Sequence, residues 1–578
     1  MVNFRDFNAL CNCLKITQIR CCVLIIILAL FGTLPAACAS ANSTGQTFEL
    51  QILAFNDFHG QVEPPSGSDI LYYNASNYPF KAELGGAPYL ATLIKGLKAT
   101  NPNTIVVSAG DCIGASPLVS ALFHDEATVE VLSDIGLEYS AAGNHEFDEG
   151  ITELQRMQYG CCHQKDGCQD GDRFVGAGYY YLTANVVNSS TNSTLFDPYM
   201  IREMEGIPVA FIGVSLKDTP TVVTPSGVKG YVFLDEADSI NAAVKKLKEK
   251  GIKTIIVLIH NGGEQDGLAS ESLNLSGPII DIVKRSDREV DAFVSGHTHE
   301  AYVSNIDGRI VTEAKSQGKF FTDIDLVISK ETGDVIEARA KNIPVTRDVP
   351  GDPDIARIIE KYSILEESIA HEVIGSITSD ISRNQGRSGE SALGDAVADS
   401  QLLSAGKDGA VVAFMNPGGI RTDLTYKPGG NEGAGNVTYG EAFSIQPFGN
   451  SIYVLNLTGS QIDEVLEEQF DNPNVGRNSI LQVSSGFSYA WNESAPVGEK
   501  VDIDSIKING TAIDPKGSYR VAANGFLADG GDNFIVFKSG TDRVCGISDL
   551  DAFVEYLQAS SPLSPGQMDR IAVAGLEQ

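Results

Sequence analysis

Five short stretches of this sequence carry side chains able to bind metal ions or move protons. They are "NDFHG" with Asp57 and His59, "AGD" with Asp111, "GNHEFD" with Asn144, His145 and Asp148, "IHNG" with His260, and "GHTH" with His297 and His299. Asp57, His59, Asp111, Asn144, His260, His297 and His299 together mix nitrogen and oxygen donors. That mixture suits zinc, manganese or another first-row divalent ion, whereas calcium prefers an all-oxygen shell. Seven ligands are too many for one tetrahedral ion and enough for two ions that share a carboxylate. Ions held about 3.5–4 Å apart activate water at neutral pH and clamp an in-line displacement, usually at phosphorus. His145 adjoins Asn144 but leaves the backbone in a different direction, so it is placed to meet a substrate phosphate. Asp148, three residues on, is spaced to orient that imidazole. The competing role for Asp148 is a helix N-cap before "EGITELQRM"; Glu146 reads as structural.

The elements around these stretches must bring them together, because they are spread over about 240 residues. "FELQILAFND", "NTIVVSAGD", "LEYSAAGNH", "GIPVAFIGVS", "KTIIVLIHNG" and "VDAFVSGHTH" read as buried strands. "GGAPYLATLIKGLKAT", "HDEATVEVLSDIG" and "LDEADSINAAVKKLKEKG" have helical period and lie between them. Strands this apolar, alternating with helices, predict sheets covered on both faces, an α/β class. In such sheets the carboxyl ends of the strands share one rim, and ligands bind there. A lone Asp-Gly or His-Gly at a strand end is ordinary punctuation. Five strand ends in one chain that all carry carboxylate, imidazole or amide groups predict a single polar pocket.

Composition bounds the rest. The chain has 578 residues, 43% hydrophobic and 20% charged, too long for one ordinary core. A net charge of −33 argues against a nucleic-acid polymer or an anionic membrane surface as partner. Arg5, Lys15 and Arg20, the apolar run "CCVLIIILALFGTL" and the small residues of "ACASA" read as an export signal over 1–39, cut after Ala39 or Ala41. A secreted or cell-envelope location follows, with no membrane span once the signal is removed; a retained anchor is the alternative. The C-terminal residues lack the apolar tail of a lipid-anchor signal. Cys11, Cys13, Cys21, Cys22 and Cys38 fall in the leader, leaving Cys112, Cys161, Cys162, Cys168 and Cys545. In an oxidising compartment the "CCHQKDGC" loop predicts a local disulfide to Cys168. Sequons at Asn188, Asn192, Asn456 and Asn509 permit glycosylation.

Residues 351–373 have helical period after a Pro/Gly/Asp break and read as a connecting helix. Beyond it lie further strands at "EVIGSITSDI", "GAVVAFMN", "SIYVLNLTG" and "SYRVAANG". Arg383 and Arg387 sit in the polar loop "SRNQGRSGE", Arg421 ends "NPGGIR", and aromatic residues occupy the Gly-rich loops "PFGN" and "NGFLADGGDNF". Arginine forks grip phosphate and aromatic faces stack on bases, so these loops point to an anion and base site in an acidic protein.

The ordered motifs resemble the calcineurin-like metallophosphatases and, more closely, the 5′-nucleotidase / UDP-sugar hydrolase family, over about residues 50–540. The resemblance implies a four-layer αββα sandwich at 48–345, joined by the helix to a second α/β, substrate-binding domain at 374–575. It implies one ion on Asp57, His59, Asp111 and His299, and a second on Asp111, Asn144, His260 and His297, with Asp111 bridging. It assigns Asn416, Arg421, Arg383 and Arg387 to the substrate and Phe448 and Phe526 to the base, with Asn450 beside them and Asp532 on the ribose. The implied activity is hydrolysis of nucleoside 5′-monophosphates. UDP-sugar or 2′,3′-cyclic nucleotide hydrolysis is the alternative, and a non-catalytic nucleotide-binding surface protein a more distant one. Cys112 departs from the family pattern and is expected to pack rather than coordinate.

Overall fold

The computed structural model describes residues 46–574 other than 66, 74–78, 225–226, 268–273, 431 and 472–478, so the expected export signal lies outside the described residues. Two six-stranded sheets form its first part. In one, the strands Thr47–Phe55, Thr104–Ser108, Leu137–Ala141 and Tyr180–Leu182 run parallel. In the other, Ile207–Val214, Thr254–Ile259, Ala292–Ser295 and Arg309–Ala314 run parallel. The run "TIIVLI" at 254–259 is buried at every residue, as a strand covered on both faces must be.

One apolar layer lies between the sheets. It joins Leu50, Ile52, Ile105 and Val107 of the first to Val209, Phe211, Ile256 and Leu258 of the second. Helices cover both outer faces. Ala87–Lys98 and Glu126–Ile135 pack on the first sheet through Leu90, Ile94, Val131 and Leu132, and Glu236–Glu249 packs on the second through Ile240, Val244 and Leu247. This is the expected αββα order. Each such side chain, fully buried, contributes about 1.5–3 kcal/mol.

The first sheet is closed by strands that sequence reading passed over. Phe320–Ser329 pairs antiparallel with Thr47–Phe55, from Thr47 opposite Ser329 to Ala54 opposite Thr322, and Val335–Pro344 pairs with its other edge. The segment "FFTDIDLVIS" alternates apolar and polar residues near its end, the pattern of a strand with one buried face.

Helix Pro353–Ala370 starts on Asp352, whose carboxylate accepts from the N–H groups of Asp354 and Ile355, with proline in its first turn. Its Ile355 and Tyr362 are buried among the first part's helices, while Ala370 packs with Ile374 and Phe443 of the second. The second part centres on a five-stranded sheet in which Val412–Met415 and Ser518–Asn524 are parallel. Alternation sorts its faces. Val412, Phe414, Val521 and Ala523 meet helix Gly459–Glu468, while Ala413 and Ala522 meet Ala405 and Ala552 of helices Ala392–Ala405 and Asp549–Ser560. Cys162 is the partner of Cys168. Among the described residues no helix is long and apolar enough to cross a membrane.

Candidate active site

The first three parallel strands end at Phe55, Ser108 and Ala141, and their loops are pinned to one another. The N–H of Asp57 donates to the Gly110 carbonyl (3.0 Å) and that of His59 to the Asp111 carbonyl (3.0 Å). From the second sheet, the His260 ring reaches the Ala109 carbonyl through Nδ1 (3.0 Å). Five of the seven candidate ligands have left-handed backbone: Asp57, His59 and Asp111 at φ 50°, His297 at 80° and His299 at 58°. Non-glycine residues rarely adopt this region, at about 1–3 kcal/mol each, and it clusters where surrounding structure enforces a functional geometry.

All seven residues converge. His59 Nε2 lies 3.1 Å from His299 Nε2, which is 3.4 Å from Asp57 Oδ1. His260 Nε2 lies 2.9 Å from Asp111 Oδ2 and 3.1 Å from Asn144 Oδ1. The donor atoms of Asp57, His59 and His299 fall within 4.8 Å of one another, as do those of Asp111, His260 and His297. Asp111 stands between the two groups, since His59 Nε2 is 3.9 Å from its Oδ2.

These residues fit divalent ions. Two imidazole nitrogens face each other beside buried carboxylates, an arrangement that calls for a cation. Burial lowers His59 to about 3 and His297 to about 4, so both rings are neutral and able to ligate at ordinary pH. Burial would raise Asp57, but His299 outweighs it and the carboxyl sits at about 2. Burial would lower His260, but the Asp111 carboxylate more than offsets this and raises it to about 10, so an ion beside Asp111 would take the place of that ring's proton. Cys112 packs beneath Asp111, its thiol 3.2 Å from the Ser108 hydroxyl, and burial pushes it up.

His145 lies over this cluster. Its Nδ1 is 2.7 Å from Asp148 Oδ2, and its backbone N–H donates to Asp111 Oδ1 (2.8 Å). The following helix, Ile151–Tyr159, begins after Gly150, so the N-cap role foreseen as the alternative for Asp148 falls elsewhere. The other face of His145 opens on a cavity of about 720 Å³ that also reaches the second part of the chain. The ring of Phe448 is parallel to that of His145 within 12°, at 6.0 Å, and the Arg421 guanidinium lies 5.7 Å from the Phe448 ring centre. Asn450 and Phe526 line the same cavity. Asn416 donates to Asp532 (3.0 Å) and accepts from Asn524 (3.0 Å), and burial pushes the Asp532 carboxyl up to about 6.

A profile described as calcineurin-like phosphoesterase matches residues 50–301, and one described as the 5′-nucleotidase C-terminal domain matches 373–539. The chain belongs to the 5′-nucleotidase family of metal-dependent phosphoesterases. It is 33% identical to the cell wall protein Lmo0130 of Listeria monocytogenes, over 91% of this chain and 69% of that one. It is also 33% identical to the endonuclease YhcR of Bacillus subtilis, over 91% of this chain, and spans only 41% of that protein's length. The crystal structure of a 5′-nucleotidase precursor from Thermus thermophilus superposes with a TM-score of 0.70 at 25% identity, over 92% of this chain and all of the other.

Two predicted substrate residues are not among those that line the cavity. Arg387 is 70% exposed and faces Glu493 at 4.0 Å. Arg383 is exposed too, with one guanidinium nitrogen on the Ile420 carbonyl (3.1 Å). Their loop is held outward by its own turns, among them Gly386 N–H to the Glu390 carbonyl (2.7 Å).

Sequence reading missed the residues that hold the ligands in place. Asn56 donates to Asp57 Oδ2 (2.6 Å) and accepts from the Ala314 N–H (2.7 Å). Glu313, fully buried, accepts from the Thr298 hydroxyl and the Glu300 N–H, so it clamps the loop carrying His297 and His299. An acid close behind the apolar pair Ile310 and Val311 in strand Arg309–Ala314 was the available signal, because a buried carboxylate demands partners. Glu146, which the sequence already marked as structural, does the same for the first sheet, accepting from the N–H groups of Asp111, Cys112 and Gly143.

Proposed function

We propose that this chain is a secreted, dinuclear-metal 5′-nucleotidase that converts nucleoside 5′-monophosphates to nucleosides and phosphate. In this reading residues 48–345 carry the chemistry, 351–373 connect, and 374–575 bind the nucleoside. The observation that supports it most is the single cavity joining the carboxylate–imidazole cluster to Phe448, Phe526 and Asp532. A phosphate at one end and a base at the other match the two ends of a nucleotide.

Two divalent ions, zinc or manganese in type, would be held by Asp57, His59, Asp111 and His299 and by Asp111, Asn144, His260 and His297. Such ions acidify water and offset phosphoryl charge. The chain's own groups do the rest. Asp148 holds the Nδ1 side of His145, so that Nε2–H points at a phosphoryl oxygen and stabilises charge as water adds and the nucleoside oxygen leaves. Arg421 grips the phosphate, Phe448 and Phe526 sandwich the base, and Asp532 accepts from the ribose hydroxyls. Arg383 and Arg387 would reach the substrate only through rotation of the second domain.

UDP-sugar or cyclic-nucleotide hydrolysis uses the same groups. The Bacillus relative is named an endonuclease, but a net charge of −33 argues against a polyanionic substrate for this chain. Substrate loss and product identity, followed chromatographically for AMP, UDP-glucose and 2′,3′-cyclic AMP, separate these readings; AMP turning over fastest to adenosine and phosphate is expected, and no turnover of AMP overturns the proposal. Secretion is checked by N-terminal sequencing of protein from the medium, with a start near residue 40 or 42 expected.

A further inference from the structure

On the wall of the same cavity, away from the catalytic cluster, four ligand-type side chains meet that nothing above employs. We propose that His124, Glu149, Glu153 and His163 form a separate divalent-cation site, for zinc or a similar first-row ion. Their donor atoms all lie within 4.8 Å of one another. They come from three segments. His124 sits in a left-handed turn (φ 50°) before helix Glu126–Ile135. Glu149 and Glu153 are four residues apart at the start of helix Ile151–Tyr159. His163 is in the loop closed by the Cys162–Cys168 disulfide.

The geometry is that of a donor set rather than of scattered surface charge. The two imidazoles stack, ring centres 3.7 Å apart and planes within 28°. His124 Nδ1 is 2.9 Å from Glu149 Oε2, and its Nε2 is 3.0 Å from Asp166 Oδ2. Asp166, 3.1 Å from His163 Nδ1, supplies a further oxygen. Arg156 occupies Glu153 Oε1 at 2.8 Å, while Glu153 Oε2 faces His163 Nε2 at 4.0 Å. Both rings are largely buried, with 16% of each side chain exposed. Two nitrogens and two or more carboxylate oxygens make a tetrahedral first-row site, and one shared cation satisfies stacked rings that would repel if both were charged.

The site adjoins the catalytic loops. Glu149 follows Asp148, the partner of His145. His124 precedes Asp125, whose carboxylate accepts from the Gly114 N–H (3.0 Å), and the Gly114 carbonyl meets His59 Nδ1 (3.0 Å). A cation here ties the disulfide loop to both turns and fixes them; this consequence, though not the site itself, rests on the catalytic reading above.

The test is zinc content of the full chain, stripped, reloaded with zinc and desalted. The wild type is expected to hold one more zinc per chain than a His124→Ala/His163→Ala variant. His260→Ala, which alters the other cluster, is expected to keep that additional ion. The difference is read whatever number the catalytic cluster holds, so failure of one assignment does not mask the other. Equal zinc in wild type and a folded double variant overturns the proposal and leaves an ion-pair network. Should the double variant not fold, exposed Glu149→Gln decides by calorimetric titration. Zinc affinity about tenfold weaker or more at one site supports the proposal, and an unchanged isotherm overturns it.

Discussion

The two ends of the cavity are built differently. At the metal end every candidate ligand follows a strand of a buried sheet. Asp57, Asp111, Asn144 and His260 are at most 4% exposed, and Asn56, Glu146 and Glu313 lock their loops. At the proposed nucleoside end the groups sit in Gly-rich loops around the five-stranded sheet of the second part. Phe448 is half-buried and Arg387 is 70% exposed. A site that must preorganise ions is held by buried hydrogen bonds, whereas a site that must admit and release a substrate is left open on one side. The contrast teaches that losses at the first end should be severe and general, and at the second graded and substrate-dependent.

Five substitutions break or sharpen that comparison. Asp111→Ala removes the carboxylate proposed to bridge the two ions; turnover is expected to fall by about 10⁴-fold or more, toward the uncatalysed limit, with loss of bound metal by elemental analysis. Retention of metal and activity would detach Asp111 from the chemistry. His145→Ala should cut kcat by about 10²–10⁴-fold while metal content stays near normal, which steady-state kinetics beside elemental analysis would read. Phe448→Ala should raise KM for AMP by about 5- to 150-fold, the range of about 1–3 kcal/mol of base stacking, and leave p-nitrophenyl phosphate little changed. Equal losses on both substrates would show that no base stacks there. Arg421→Ala and Arg387→Ala form the closing pair. The first is expected to raise KM by about tenfold, from one charged hydrogen bond, and the second by under about threefold, because exposed charges contribute little. An Arg387→Ala loss as large as that of Arg421→Ala would mean that the second domain turns to bring the loop in.

The convergence at the metal end was legible because each polar group sits directly after an apolar run, and parallel strands share one rim. Strands too apolar to be exposed on either face called for sheets covered on both sides, while the four-layer order came only with the family resemblance. The closing strands 320–329 and 335–344 were not legible. Their alternation names a strand, but only the tertiary register from Thr47 to Ser329 says which edge it joins. Glu313 was hidden for a similar reason, since its partners Thr298 and Glu300 come from a loop that precedes its strand. At the nucleoside end, residue type named Arg421, Arg383 and Arg387 alike. Only the fold separates a guanidinium beside Phe448 from one facing Glu493 in solvent.

The most direct test of the central claim is AMP hydrolysis by the full chain before and after its metals are stripped, and again after zinc or manganese is restored. The account predicts that stripping abolishes phosphate release and that either ion brings it back, in the wild type but not in Asp111→Ala. A stripped protein that hydrolyses AMP at its original rate would contradict it.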